Sequence, residues 1–420
     1  MRDLLQQLIA DSLAAPPPSF TRRDAYLPVI PGKAIAVVGM RRSGKTTFLW
    51  QCLSDRLQAG APRAALLYLN FEDERLAGMQ ATDLQWVVED YYRLAPDLRD
   101  RQRVTFFFDE IQVVQGWESF ARRLMDSEQA DLFLTSSSAR LLSREVATSM
   151  RGRALEVLIH PFSLREALRH AGVEPIEPCA SWSKALRTEI DERLRAYLAA
   201  GGFPEAQGVP LRDRRDLLRS YVDVAILRDV IERHAVSNPL PLRWLQRHLL
   251  ASPATPFSVQ KFYDALRSQG IGVGKDTLHT FLGYLEDSFL VRIVSLHSAS
   301  ERQRMVNPRK VYPVDPGLIP VYDRVGRPNL GAALETAVLI ELERRGCEVA
   351  YVRTREGFEV DFLARSPEGE WLLLQVCADL SDAATLEREV RALLSAAADH
   401  PHATPLLISL DAIPPQTELP

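Results

Sequence analysis

Gly39-Met40-Arg41-Arg42-Ser43-Gly44-Lys45-Thr46 decides how the first part of this chain is read. The octapeptide has the spacing G-x-x-x-x-G-K-[ST]. It follows Ala34-Ile35-Ala36-Val37-Val38, an apolar run that reads as a buried strand. It precedes Thr47-Phe48-Leu49-Trp50-Gln51-Cys52-Leu53, whose apolar residues fall at helical spacing. Strand, glycine loop and helix in that order form a phosphate cradle. Glycines let backbone N–H groups curl around phosphate oxygens, and the helix N-terminus adds its positive end. Gly39, Arg42, Ser43, Gly44, Lys45, Thr46 and Thr47 are therefore the expected contacts to a nucleoside triphosphate. Lys45 would reach the β- and γ-phosphates, and the Thr46 hydroxyl would ligate Mg2+.

Working outward, Leu66–Asn70 reads as a second strand. Val104–Phe108 is an apolar run without alternation, as a central parallel strand buried on both faces requires, and it ends in Asp109-Glu110. Acids at such a strand end fall on the ligand edge of an open α/β sheet. Asp109 can hold Mg2+ through water, and Glu110 can polarise the attacking water. Asp131–Ser138 is a further strand ending in Thr135-Ser136-Ser137-Ser138. Its hydroxyls would sense the γ-phosphate or simply cap the next helix, and both readings stay open.

Composition sets the frame. At 420 residues, two to four domains with cores of their own fit. A formal charge of −4 makes no global case for nucleic acid, so any such site must be local. Cys52, Cys179, Cys347 and Cys377 form no C-x-x-C pair, which argues against a zinc or disulfide framework and suits a reducing cytoplasm. No apolar run approaches a membrane span, and residues 1–7 lack a signal peptide's apolar core. A cytoplasmic protein without a membrane partner is expected.

The Gly39–Thr46 loop, Phe108-Asp109-Glu110 and the Leu134–Ser138 strand end resemble Walker A, Walker B and sensor 1 of the AAA+ superfamily. More narrowly, the chain resembles a prokaryotic group of AAA ATPases with a C-terminal domain of unknown function. Asn70-Phe71-Glu72-Asp73, Arg151-Gly152-Arg153, Gly201-Gly202-Phe203-Pro204-Glu205, Val311–Leu318, Glu359-Val360-Asp361-Phe362 and Leu374-Gln375-Val376-Cys377 match its pattern. Ser136 departs from it, standing where glycine is expected. The resemblance implies ATP and Mg2+ as cofactors, Ser137 as a sensing hydroxyl, and Arg151 or Arg153 as an arginine finger on a neighbouring subunit's γ-phosphate. It also implies a homo-oligomer, with a hexameric ring the first guess, and Pro204 as the apolar contact to adenine.

The remaining chain reads as two modules. Ser258 caps one helix, Gly270–Gly274 turns, a second helix starts near Asp276, and Phe289–Val294 follows as a strand. That order resembles a winged helix-turn-helix, with Lys275, Thr277, His279 and Thr280 facing a groove. Arg302, Arg304, Arg309 and Lys310 form a denser basic run, for which a solvated loop is the plainer reading. Arg302, Arg304 and Lys310 join Lys275 and His279 as DNA-contact candidates. Further on, Glu335 on a helix, Asp361 on a strand and the Gln375-Val376-Cys377 pair resemble the skeleton of PD-(D/E)xK restriction-endonuclease-like folds. There Glu335, Asp361 and Gln375 would hold a second metal, but Cys377 stands where the catalytic lysine belongs, so efficient cleavage is not expected.

The expected architecture is thus α/β. Residues 1–20 are an N-terminal helix and linker, 21–162 a P-loop AAA+ core, 163–238 a helical lid, 239–298 a winged helix, and 299–420 the endonuclease-like domain. The leading expectation is an ATPase that hydrolyses ATP as an oligomer and acts on DNA. A signalling switch with a protein-binding C-terminal domain and an ATP-gated nuclease are the alternatives.

Overall fold

The computed structural model describes residues 1–136, 150, 152–298, 300, 302, 308–323 and 329–411. They form two compact units, Met1–Ile159 and His160–Pro420.

The first unit is built on a five-stranded sheet in the order β2-β3-β4-β1-β5, all neighbours parallel. Its strands are β1 (Ala34–Val38), β2 (Leu66–Asn70), β3 (Val104–Asp109), β4 (Ala130–Ser136) and β5 (Ala154–Leu158). β1 and β3 are buried along their whole length, which explains why neither shows alternation. Chain order breaks beside β1, which lies between β4 and β5, so the crevice of an open parallel sheet falls there. Among the described residues, helices α1 (Arg2–Ala14), α2 (Lys45–Gln58), α3 (Leu84–Leu94) and α4 (Trp117–Ser127) accompany it. Helix α1 is part of this core. Leu5 and Ile9 are fully buried, Arg2 pairs with Asp90 of α3, and Ser12 Oγ donates to the Tyr68 carbonyl at 2.6 Å.

The second unit opens with helices Leu164–His170, Lys184–Ala200 and Leu211–Val224, the last running into a π-helical stretch, Ala225–Glu232. Helices Pro239–Ala251, Val259–Ser268 and Lys275–Asp287 follow. A small antiparallel sheet then sets β8 (Arg309–Pro313) between β6 (Pro256–Phe257) and β7 (Val291–Val294). Last come helix Leu330–Arg344, the antiparallel run β9 (Glu348–Arg353), β10 (Glu359–Arg365) and β11 (Trp371–Val376), helix Ala383–Asp399, and β12 (Ala403–Ile408) parallel to β11.

Two apolar clusters cover the two faces of that last sheet. Phe362, Ala364, Leu374 and Val376 pack with Leu334, Leu339 and Leu342 of helix Leu330–Arg344. Val360, Leu363 and Leu373 pack with Ala392, Leu393 and Ala396 of helix Ala383–Asp399. Val360 and Phe362, two residues apart, would share a face on an unbroken strand. They do not, because β10 carries one extra residue between Val360 and Leu363 in its pairing with β9.

Two sequence motifs turn out to be packing partners. Gly202 N donates to Asp315 Oδ2 at 2.7 Å and Gly317 N to Asp315 Oδ1 at 2.9 Å. A Cβ on Gly201, whose φ is +77°, would lie 1.8 Å from that carboxylate. Only glycine fits. Burial pushes the Asp315 carboxyl up to about 6, against the pull of the two N–H donors.

Candidate functional site

The loop after β1 adopts the backbone a phosphate cradle needs. Gly39 has φ +144°, and a Cβ there would meet the Ile159 carbonyl oxygen at 2.2 Å. Gly44 is left-handed and is the N-cap of α2, so the helix starts at Lys45 and its first-turn N–H groups have no acceptor within the helix. Arg42 is also left-handed, a costly conformation for a residue with a Cβ. Lys45 is 5% exposed, and its Nζ donates to the Gly39 and Met40 carbonyls at 3.1 and 3.2 Å. The loop is braced from outside its motif. Arg23 Nη1 donates to the Ser43 carbonyl at 2.8 Å, while Gln51 of α2 bonds the Arg23 backbone in both directions. Thr47 follows Thr46 in the first turn of α2.

Asp109 ends β3 and is 1% exposed. Its Oδ2 accepts from the Tyr68 hydroxyl at 2.8 Å and its Oδ1 from Thr135, and the neighbouring Thr46 hydroxyl also favours its ionised form. Burial raises the Asp109 carboxyl above its ordinary range, with the Glu110 charge adding to the rise and the three hydroxyls opposing it. The Walker A threonine and the Walker B aspartate therefore meet. Hydroxyl and carboxylate oxygens are hard donors, the set that suits Mg2+. Glu110 stands next in a left-handed conformation. Its N–H donates to Thr135 Oγ1 at 2.7 Å, and Gln112 Nε2 donates to its carboxylate.

Sequence reasoning missed Tyr68, and it named Thr135 only as one of a cluster of hydroxyls. Both follow from register: Tyr68 lies on β2 two residues before Asn70, the partner of Asp109, and Thr135 pairs with Val37 on β1. Trp50 of α2 packs on the Tyr68 ring at 4.4 Å between centroids, which fixes the phenol's direction. Ser137 and Arg151 lie outside the described residues. Arg153 forms an ion pair with Asp126 on its own chain. Pro204 lies in the second unit and opens the short 3-10 helix Pro204–Ala206.

In the second unit the DNA-contact candidates part company. Lys275 and His279 are exposed on helix Lys275–Asp287. Burial, then the neighbouring Lys275 and Arg309 charges, hold His279 below its ordinary value, so these three groups share one local field. Arg302 is exposed, and Arg304 lies outside the described residues. Lys310 corrects its expectation. It is 2% exposed and faces no groove, because β8 carries it into the interior. Its Nζ lies 3.0 Å from Glu335, 3.0 Å from Glu359 and 2.9 Å from Asp361.

The expected trio of Glu335, Asp361 and Gln375 is likewise revised. Glu335 and Asp361 are brought together, and Gln375 is not. Gln375 shares the Leu373 face of β11, and its Nε2 donates to Glu389 of helix Ala383–Asp399 at 2.6 Å. Glu335 lies on the other side, with helix Leu330–Arg344.

Comparison with known proteins places this geometry. Residues 31–168 match the model of an AAA domain, so the P-loop unit is an AAA-type ATPase domain. Residues 191–328 match a domain of unknown function, DUF8612. The chain belongs to the same family as the uncharacterized protein MJ1544 of Methanocaldococcus jannaschii, to which it is 32% identical over 402 residues, 94% of this chain and 86% of that one. An uncharacterized Haemophilus influenzae protein is 29% identical over 352 residues, 82% of each chain. Among solved structures, a Walker-type ATPase of Pyrococcus abyssi aligns at 16% identity and TM-score 0.42, covering 77% of this chain and 95% of that chain. No helix among the described residues is long and apolar enough to cross a membrane.

Proposed function

We propose that this chain binds ATP with Mg2+, hydrolyses it in an oligomer, and uses the turnover to act on DNA. The observation that carries hydrolysis is the Asp109-Glu110 pair, held between the P-loop threonine and Thr135. Lys45 would exchange the Gly39 and Met40 carbonyls for β- and γ-phosphate oxygens. Thr46 and Asp109 would hold the metal, whose charge offsets that of the phosphates. Glu110 orients the attacking water and takes its proton, with Gln112 steering the carboxylate and Thr135 fixing the backbone beneath it. Arg153 would complete the site of a neighbouring subunit by leaving Asp126, and Arg151 is its competitor for that role. A hexameric ring is the first assembly to look for.

Support for DNA is local. Lys275 and His279 are exposed on the second helix of a helix–turn–helix–strand order, with Arg309 in the same field. The deciding experiment measures multiple-turnover ATP hydrolysis with and without duplex and single-stranded DNA, beside Glu110→Gln. Stimulation by DNA, absent in Lys275→Ala/His279→Ala, supports the reading. A rate indifferent to every nucleic acid would replace it with a slow ATP-driven switch that acts on protein. Full activity in Glu110→Gln would remove the catalytic assignment itself.

A further inference from the structure

A restriction-endonuclease-like module implies a divalent metal at Glu335, Asp361 and Gln375, and the residues present do not fit one. The amide of Gln375 is bonded to Glu389 on the far face of β11. The point where the carboxylates converge is taken by the Lys310 ammonium. Among the described residues, no group of three or more His, Cys, Asp or Glu side chains is arranged to hold a metal ion. We propose that the Lys310 ammonium is the resident cation of the Glu335–Glu359–Asp361 cluster, standing in a metal's place, so that the module binds no divalent ion there and cleaves no phosphodiester.

The ammonium donates hydrogen bonds to Glu335 at 3.0 Å and Asp361 at 2.9 Å, and the Glu359 carboxylate pairs with it at 3.0 Å. The acceptors are occupied in turn. Asp361 Oδ2 accepts from Val376 N at 2.9 Å, and Glu335 Oε1 accepts from the Tyr312 hydroxyl at 2.7 Å. A divalent ion would need an oxygen shell at about 2.1 Å for Mg2+, on a spot already filled by a cation tethered through its own side chain. To admit the ion, a buried lysine would have to leave three carboxylates for no partner that the fold supplies. The charge balance has its own outlet. One ammonium leaves three carboxylates under-neutralised, and burial together with the Asp361 charge lifts Glu335 to about 7, so a proton near neutrality can trim the excess.

The cluster also answers what became of the lysine missing at position 377. Its charge enters from β8, which precedes the acids in sequence, and it enters as a counter-ion to all three. The Cys377 thiol is pushed up by burial, so it supplies no charge of either sign at neutral pH.

The test is a Mn2+ titration followed by electron paramagnetic resonance, on full-length protein carrying Asp109→Asn to remove the P-loop site's carboxylate ligand. A plasmid-nicking assay with Mn2+ runs beside it on the unaltered chain. We expect no stoichiometric Mn2+ and no cleavage. Lys310→Gln should then gain one Mn2+ per chain, lost again when Asp361→Asn is added. Stoichiometric Mn2+ in the Asp109→Asn protein that Asp361→Asn abolishes would overturn the proposal. So would nicking by the unaltered chain that depends on Asp361, or a folded Lys310→Gln that gains no metal. If Lys310→Gln does not fold, the first two measurements decide alone.

Discussion

Asp109 and Asp361 pose the same physical problem and solve it differently. Each is a nearly buried carboxylate on a sheet strand with a tyrosine hydroxyl in its cluster; Tyr68 donates to Asp109 itself, and Tyr312 donates to Glu335, which shares Lys310 with Asp361. Asp109 is met by three hydroxyls, all neutral. Hydrogen bonds of this kind orient a carboxylate and favour its ionised form without cancelling its charge, so an attraction for an incoming cation remains. Asp361 is met by an ammonium and a backbone N–H, and its charge is spent inside the fold. The type of donor around a buried acid, more than the acid itself, separates a place that can recruit a metal from one that is already closed.

That contrast can be attacked at several points. The largest effect should come from Lys45→Ala, which is expected to weaken ATP binding by a hundredfold or more, about 3 kcal/mol. Fluorescence titration with a labelled nucleotide measures it, and an affinity within threefold of the unaltered chain would end the P-loop assignment. Glu110→Gln should keep that affinity and lower the hydrolysis rate by about 10²–10⁴, the usual range for losing a general base. Lys310→Met should destabilise the second unit by about 3–5 kcal/mol, because it strands the Asp361 and Glu335 carboxylates inside the fold, with the partly exposed Glu359 beside them. Chemical denaturation reads this, and a loss below about 1 kcal/mol would mean that the ammonium is not the cluster's counter-ion.

A subtler test uses pH. Asp315, raised to about 6 in the fold, favours the protonated form there relative to the unfolded chain. Its contribution is therefore complete below about pH 4 and disappears as pH rises through 6, on the order of 2–3 kcal/mol in all. Glu335, raised to about 7, acts in the same direction over a range that ends higher. Denaturation midpoints of the second unit should fall between pH 4 and 7, and Asp315→Asn should flatten the lower part of that fall. The smallest effect is Tyr68→Phe. Removing one hydroxyl from Asp109 should raise the Mg2+ needed for half-maximal hydrolysis by about fivefold, near 1 kcal/mol, with metal-free nucleotide affinity unchanged. An unchanged Mg2+ requirement would make Tyr68 a packing residue only.

How much of this was legible in the sequence depends on distance along the chain. The P-loop, β3 and Asp109-Glu110 could be read directly, because each is a local pattern and a buried parallel strand shows itself as an unbroken apolar run. The helix–turn–helix order of residues 258–287 was legible for the same reason. What failed was non-local. No periodicity says which hydroxyl of Thr135-Ser136-Ser137-Ser138 turns toward Asp109, since that depends on the register of β4 against β1. Helix α1 read as a leading segment because its partners, β2 and α3, lie more than fifty residues on. Lys310 looked like part of a solvated basic run, because the acids that hold it lie 25 to 51 residues downstream. Gln375 was assigned by its spacing from position 377, and spacing does not tell which face of the sheet helix Leu330–Arg344 covers.

The extra residue in β10 makes chain length, as well as residue identity, a determinant of the Lys310 cluster. Deleting Phe362, which lies between Val360 and Leu363, would leave every charged group in the sequence while restoring an unbroken strand. Residues on either side of the deletion would then exchange faces, and the carboxylates could no longer all converge on Lys310. This stretch should accordingly accept conservative substitutions more readily than it accepts a gap, and a relative that had lost one residue here would have to rebuild the cluster from different side chains.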